Sequence, residues 1–216
     1  MRERFERQLR ELNVKLLKMG AMVEDIIEAS VQSLVKQDLD MAKEVYRMDD
    51  QIDELELELE NECMRLLALQ QPMARDLRVI GTIMKIITDL ERMGDHAVNI
   101  AKVTLKIGDE PLIKPLIDIP RMSKLSEKMV SKSLDAFMKS DIHLAAEVAH
   151  DDEAVDEIYD EIYMELIEMI IENPSITKQA THLLFIGRYL ERIADHATNI
   201  GERVIYMVTG ERMEIN

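Results

Sequence analysis

The sequence predicts an all-α protein built from two tandem three-helix bundles, six long helices in total, related by an internal pseudo-twofold. The first observation is a repeat, because residues 90–100 return as residues 190–200 without a gap and with most residue types unchanged. The second is composition, because only 7 Gly and 5 Pro occur in 216 residues, which leaves few turns. Long helices joined by tight turns satisfy both observations.

The repeated stretch has the apolar spacing of an amphipathic helix. Leu90, Met93 and Ala97 recur at three- and four-residue intervals, and Ile100 and Thr104 continue the same line. Residues spaced in this way share one helix face. The stripe therefore predicts a helix that is buried against its neighbours along one side.

Breaks in the apolar pattern divide each half into three helices. Gln71 and Pro72 separate the second helix from the third, because proline cannot continue a helix. Asp38 is placed to cap the start of the second helix, and Gly108 is placed to end the third. The helices of the first half are predicted at about residues 3–36, 39–70 and 73–107.

The second half repeats this plan. Residues of the first two helices recur 103 positions later, so that Asp49 and Asp53 return as Asp152 and Asp156. The stretch 109–120 holds three of the five prolines and predicts a linker. The predicted domains are a first bundle at residues 1–108 and a second bundle at residues 121–216, joined by the Pro-rich linker 109–120.

Charge and composition limit the classes of function. The formal net charge of −16 argues against binding to nucleic acid and suits cations or basic partners. Cys63, the single cysteine, falls on an apolar helix face, which predicts a small buried residue in a reducing compartment. No apolar run approaches the length that spans a bilayer. We therefore expect a cytoplasmic protein that is not itself membrane-spanning.

Eight carboxylates form four pairs at the i, i+4 spacing of a helix face. Neighbouring helices of an up-down-up bundle run antiparallel, so a pair on one helix can meet a pair on the next. Four converging carboxylates repel one another unless they are protonated, bridged by Arg92 or Arg192, or occupied by cations. The four pairs are Asp49 with Asp53, Glu91 with Asp95, Asp152 with Asp156, and Glu191 with Asp195.

Oxygen ligands of this kind suit iron, manganese, magnesium or calcium, and they suit zinc less well. His96 and His196 follow a motif aspartate directly, which turns them about 100° away around the helix and makes them poorly aimed ligands. The Glu-x-x-His motif of helical di-metal proteins is absent. A structural alternative stays open, in which the pairs lie on solvated faces and Arg92 simply forms ion pairs with its neighbours.

The residues also carry a resemblance to a known family. The segment QPMARDLR at residues 71–78, together with both copies of the LER-x-x-DH-x-x-NI pattern, resembles the PhoU family over essentially the whole chain. The resemblance implies a pair of three-helix bundles that acts as a non-enzymatic negative regulator of phosphate uptake and phosphate-dependent signalling. It further implies an adaptor between a phosphate ABC transporter and a membrane sensor histidine kinase.

The resemblance also implies multinuclear metal clusters, with iron as the first choice and zinc, manganese or magnesium as alternatives. These clusters fall on the same four carboxylate pairs. The second copy departs from the first in having Ala194 where the first has Gly94, and the DLR turn has no counterpart there. We expect a homodimer in the cytoplasm, peripheral to the inner membrane through its partners.

An alternative function from another class is a metal-dependent enzyme in which the carboxylates hold iron for redox or hydrolytic work. Against it, the sequence has no Gly-rich phosphate loop and no nucleophile with a placed base. Oxygen consumption or phosphatase turnover by the iron-loaded protein separates the two functions.

Overall fold

The computed structural model describes residues 2–70 and 72–213, and within those ranges it contains six long helices and no strand. The predicted all-α class is confirmed, and so is the arrangement of six helices with an internal pseudo-twofold. A short 3-10 helix, Pro174–Ile176, lies between the last two long helices. The long helices are α1 (Arg2–Lys36), α2 (Leu39–Gln70), α3 (Arg75–Ile107), α4 (Asp118–Lys139), α5 (Ile142–Glu172) and α6 (Thr177–Thr209).

The helices pack as two bundles that share one core. In the first half α1, α2 and α3 all contact one another, and in the second half α4, α5 and α6 do the same. The halves meet where α3 packs against α6 and α1 packs against α4. These are the equivalent helices of the two repeats, so the contacts between the halves are those that a twofold relation requires. We refer to the α3–α6 contact as the seam.

Apolar periodicity explains which face of each helix is buried. The predicted stripe on α3, from Leu90 to Thr104, is buried at every one of its five positions. Cys63 is fully buried on α2, as its position predicts, and burial raises the pKa of its thiol to about 12. No helix in the described ranges carries an apolar stretch long enough to cross a bilayer.

Tight turns of the same design join the first two helices of each half. Gln37 has a φ of 51°, and the Asp38 carboxylate accepts hydrogen bonds from the backbone N–H groups of residues 40 and 41. Ser140 has a φ of 52°, and Asp141 caps α5 in the same way. The predicted N-cap at Asp38 is therefore confirmed, and the equivalent residue in the second half, Asp141, is also an N-cap.

The boundaries of α3 and of the linker differ from the prediction. Helix α3 begins at Arg75 rather than at residue 73, and Gln71 of the predicted break lies outside the described residues. Gly108 ends α3 with a φ of 62°, as predicted. Helix α4 begins at Asp118, so part of the predicted linker 109–120 is helical. Pro120 is accommodated there because the first turn of a helix needs no N–H donor.

Candidate metal centre

The first acidic site lies between α2 and α3, where the sequence predicted that two carboxylate pairs would meet. Burial, together with the charges of Asp53, Asp95 and Glu91, raises the pKa of Asp49 to about 6. Both pairs are therefore close enough to repel one another. Gly94 makes the approach possible, because a Cβ atom at that position would lie 2.9 Å from Asp49 Oδ1.

Glu56 is a further carboxylate of this site that the sequence analysis missed. Carboxylate oxygens of Asp53, Glu56 and Glu91 all lie within 4.8 Å of one another, a geometry that can hold a metal ion. Burial, with a smaller contribution from the charge of Glu91, raises the pKa of Glu56 to about 7. The spacing from Asp53 to Glu56 is i, i+3, so helical periodicity was the signal that could have found it.

The second acidic site lies between α5 and α6 and is built from the repeat-equivalent residues. Asp152 is only 6% exposed. Burial, together with the charges of Asp156 and Asp195, raises its pKa to about 7. Thr198 lies close enough to lower this pKa in part, but neither the buried Oδ1 of Asp152 nor Oγ1 of Thr198 forms a well-oriented hydrogen bond among the residues that the structure describes. A buried carboxylate oxygen without a donor is suited to a cation.

The two sites differ at one pair of positions on their walls. Tyr159 stands where the first half has Glu56, and Gly187 stands where the first half has Ile87. The tyrosine ring packs directly against Gly187, since a Cβ atom there would lie 2.9 Å from Tyr159 Cδ2. In the second site a tyrosine ring therefore takes the place of a carboxylate. The glycine that stands in place of an isoleucine leaves room for that ring.

Arginines form ion pairs at the outer edge of both sites. Arg92 Nε lies 3.3 Å from Glu91 Oε2, and Arg92 Nη1 lies 3.0 Å from Asp95 Oδ2. In the second half Arg192 Nη1 lies 3.2 Å from Asp195 Oδ2. The ion pairs of the structural alternative thus exist. The guanidinium groups of both arginines are about half exposed, and within the described ranges neither Asp49 nor Asp152 forms an ion pair.

One further ion pair has no counterpart in the first half. Arg188 pairs with Glu191, whereas the repeat-equivalent position of Arg188 holds Thr88. The first site therefore presents five carboxylates and one guanidinium at these positions. The second site presents four carboxylates and two guanidiniums.

Both motif histidines lie at the seam, where each contacts residues of the opposite half. The rings of His96 and His196 are 5.7 Å apart, and His96 stacks on Tyr189. His196 Nδ1 lies 3.0 Å from Asp89 Oδ1. Burial lowers the pKa of His96 to about 4, and its Nδ1 atom has no hydrogen-bond partner within the described ranges. The sequence-based interpretation of these histidines as poorly aimed ligands agrees with this position.

Comparisons with known proteins match the whole chain. A family model for the PhoU domain matches residues 16–104 and 119–204. The chain is 42% identical over 216 residues to the "Phosphate-specific transport system accessory protein PhoU homolog" of Clostridium acetobutylicum, a match that covers 100% of this chain and 99% of that relative. The protein of the same name from Aquifex aeolicus is 42% identical over 205 residues, which covers 95% of this chain and 93% of the relative.

Solved structures agree with the sequence matches. The crystal structure of PhoU from Pseudomonas aeruginosa superposes with a TM-score of 0.90 at 36% identity, and the match covers 96% of this chain and 100% of the other. The phosphate transport system regulatory protein PhoU from Streptococcus pneumoniae has a TM-score of 0.90 at 35% identity, with 97% and 99% covered.

Two three-helix bundles related by a pseudo-twofold, with one acidic site in each, define a class of duplicated helical-bundle proteins. Within that class, both the sequence and the structure show that this chain belongs to the PhoU family.

Proposed function

We propose that this protein is a regulatory accessory protein of phosphate transport. More specifically, we propose that it is a non-enzymatic adaptor between a phosphate ABC transporter and a sensor histidine kinase. It works as a homodimer in the cytoplasm, and its acidic sites bind metal ions, with iron as the first choice. The observation that carries the proposal is the full-length similarity, at 42% identity, to a relative named as a phosphate-specific transport system accessory protein.

The metal-binding part of the proposal rests on the chemistry of the two acidic sites. Burial raises the pKa of Asp53, Glu56 and Glu91, and the charges of neighbouring carboxylates add to the effect. A cation placed among these three groups offsets both costs. In the second site a cation supplies a partner to the buried Oδ1 of Asp152, which has no hydrogen-bond partner among the described residues. The donor set is all oxygen, which suits iron, manganese or magnesium better than zinc.

Glu56 joins the four predicted ligands of the first half in this proposal. Asp49, Asp53, Glu56, Glu91 and Asp95 would hold the metal in the first half. The equivalent carboxylates would hold it in the second half, namely Asp152, Asp156, Glu191 and Asp195. A bound metal would supply positive charge that links two neighbouring helices in each bundle, so that occupancy would stiffen each half.

Gene deletion tests the regulatory role. Deleting the gene in its host should derepress phosphate-starvation genes in phosphate-rich medium, because a negative regulator has been lost. A plasmid copy of the wild-type gene should restore repression. Unchanged expression of those genes in the deletion strain would refute the regulatory role, whatever the metal content of the protein.

Elemental analysis tests the metal sites separately. Protein purified without chelator and without an affinity metal should contain iron or another transition metal. The double variant Asp95→Asn/Asp195→Asn should contain almost none, because each site loses a charged ligand. Equal metal content in the two proteins would exclude these carboxylates as ligands and leave the regulatory role untouched.

Membrane retention tests the adaptor part. The protein should sediment with membranes that carry the transporter and the kinase, and it should stay in the supernatant with membranes that lack both. The iron-loaded protein should neither consume oxygen nor hydrolyse phosphate esters. Turnover in either assay, together with no retention, would favour the enzyme alternative.

A further inference from the structure

A basic pocket lies at one end of the seam, in a chain whose net charge is strongly negative. It is a cleft of about 760 Å³ between α3 and α6. Its lining includes four cationic side chains and one acidic one, which are Arg78, Lys85, Arg203, Arg212 and Glu202. A cleft in which one sign of charge predominates concentrates ligands of the opposite sign.

Two of the arginines are held in place by contacts that use only part of their hydrogen-bonding capacity. Arg203 Nε donates to Asp89 Oδ2 at 2.8 Å, and Arg78 Nε donates to the Met207 carbonyl at 3.3 Å. A guanidinium carries five N–H donors. Each arginine is therefore fixed at one nitrogen and still has terminal N–H groups to offer to the cleft.

The other two cations are not neutralised by acidic groups in the described part of the chain. Arg212 stacks over the ring of Tyr206 at 5.9 Å, a cation–π contact that leaves its charge in place. Lys85 is exposed and forms no ion pair within the described ranges. The pocket therefore contains two cations, Lys85 and Arg212, that form no ion pair within the described ranges.

The pseudo-twofold relates the basic pocket to a different surface at the opposite end of the seam. Cations occur there too, since the positions equivalent to Glu202, Tyr206 and Arg78 are Lys102, Lys106 and Lys178. Lys178 pairs with Glu110 of the linker, however, and the position equivalent to Lys85 is Phe185, which carries no charge. The linker also contacts α6 at that end, where the Gln179 side chain accepts a hydrogen bond from Ile113 N–H at 2.7 Å and donates one to the Pro111 carbonyl at 3.1 Å. The two ends of the seam therefore differ in how their cations are used.

We propose that the basic pocket binds a small molecule that bears a phosphate group. Arginine and lysine match the charge and geometry of phosphate oxygens, and arginine does so with two parallel N–H donors. The volume falls in the range of small-molecule sites. The shared chemistry is a phosphoryl oxyanion, supplied either as free inorganic phosphate or as the terminal phosphate of a nucleotide. This proposal does not depend on the metal sites.

Calorimetric titration of the full chain with inorganic phosphate, ATP and sulfate tests the proposal. We expect binding of phosphate, of ATP, or of both, and weaker binding as salt is raised. The double variant Lys85→Gln/Arg212→Gln removes two charges that form no ion pair within the described ranges, and it should weaken binding roughly tenfold or more. Lys128→Gln is the matched control, since Lys128 is exposed on α4 outside the pocket lining and its loss should leave binding unchanged.

The pattern of binding identifies the source of the oxyanion. Binding of inorganic phosphate supports the proposal with free phosphate as the ligand, and binding of ATP without inorganic phosphate supports it with a nucleotide. Arg78→Gln provides a second variant and should also weaken binding. Failure of both phosphate and ATP to bind overturns the proposal. So does phosphate binding that the pocket variants do not weaken, which is the behaviour expected of phosphate held by a metal at the acidic sites.

Discussion

Asp89 accepts a hydrogen bond from Arg203 Nε at 2.8 Å, and this contact joins α3 to α6 across the seam between the two halves. The same carboxylate lies 3.0 Å from His196 Nδ1, and Asp89 is only 4% exposed. A buried charge of this kind depends on its partners, and removing one partner leaves the other charge poorly compensated. The contact between the halves therefore includes a polar component that the apolar periodicity does not reveal.

Replacing Asp89 should weaken the fold. We expect Asp89→Asn to lower the free energy of unfolding by roughly 2 kcal/mol, because Arg203 loses its charged partner. Urea unfolding followed by circular dichroism measures the change. Asp135→Asn is the control, since Asp135 forms an exposed pair with Lys139 and should change stability by no more than about 0.5 kcal/mol. Equal decreases in the free energy of unfolding of the two variants would show that the buried pair of Asp89 and Arg203 contributes no more to stability than an exposed pair.

Gly187 should resist even the smallest side chain. A Cβ atom there would lie 2.9 Å from Tyr159 Cδ2, so Gly187→Ala should cost about 1–2 kcal/mol by forcing the ring aside. Removing the ring should restore the space, and Tyr159→Ala should therefore cost less in the Gly187→Ala protein than in the wild type. Thermal unfolding of the four proteins measures this coupling.

Gly81 supplies the contrast for this prediction. It lies inside α3, is exposed, and has nothing within 4 Å of the position that a Cβ atom would take. Gly81→Ala should stabilise the protein by about 0.5–1 kcal/mol through helix propensity alone. If Gly187→Ala behaves like Gly81→Ala, the close packing of Tyr159 does not constrain this position.

Stability without metal should fall as pH rises. The pKa is about 6 for Asp49 and about 7 for Glu56 and Asp152, against ordinary values of 3.8 for Asp and 4.5 for Glu. Between roughly pH 4 and pH 7 these three carboxyl groups bind more protons in the folded chain than in the unfolded chain, which makes the free energy of unfolding decrease with pH. His96, with a pKa lowered to about 4, acts in the opposite direction, but it is one group against three. The melting temperature of chelator-treated protein should decrease across this range, and Asp152→Asn should reduce the slope.

Metal-loaded protein should show the opposite trend, since metal binding requires deprotonated carboxylates. The comparison is internal, because the same sample is measured before and after chelation. The melting temperature of the chelated protein could instead rise steadily through this range. That result would mean that burial and repulsion do not raise the pKa values of these carboxyl groups.

Removing the metal and removing the carboxylate charges should have opposite effects on the melting temperature. Metal should raise the melting temperature of the wild type by linkage to the folded state. Asp95→Asn/Asp195→Asn should lose this response and should melt somewhat higher than the wild type in chelator, because repulsion is relieved. If chelator leaves the wild type unchanged and the double variant melts lower in both conditions, the carboxylates serve only the ion pairs of Arg92 and Arg192.

The single variants should rank the two sites. Glu56 adds a carboxylate to the first site, whereas the second site has Tyr159 in its place and Arg188 paired with Glu191. We expect Asp195→Asn protein, which keeps the first site, to retain metal at higher chelator concentrations than Asp95→Asn protein. Metal analysis after dialysis measures the difference. The reverse order would mean that burial of Asp152 outweighs the difference in charge.

The repeat predicted the helices well because the same pattern occurs once in each half, so each copy supports the interpretation of the other. Matching the two halves found the four carboxylate pairs, and it failed at Glu56 because the equivalent residue, Tyr159, is not acidic. Asp89 could not be found in this way either. Its partners lie more than 100 positions further along the chain, and only the packing of α3 on α6 brings them together. Local spacing carries no information about such contacts.

The pseudo-twofold has a genetic consequence because both halves belong to one polypeptide. In a homodimer of single bundles, any substitution would appear on both sides of the axis. Here one codon change alters one half alone. The first half can therefore have Asp89 where the second half has Tyr189, and Glu56 where the second half has Tyr159. Fusion of the halves thus allows the two sites of one molecule to acquire unequal affinities, which a symmetric dimer of identical bundles cannot do by mutation.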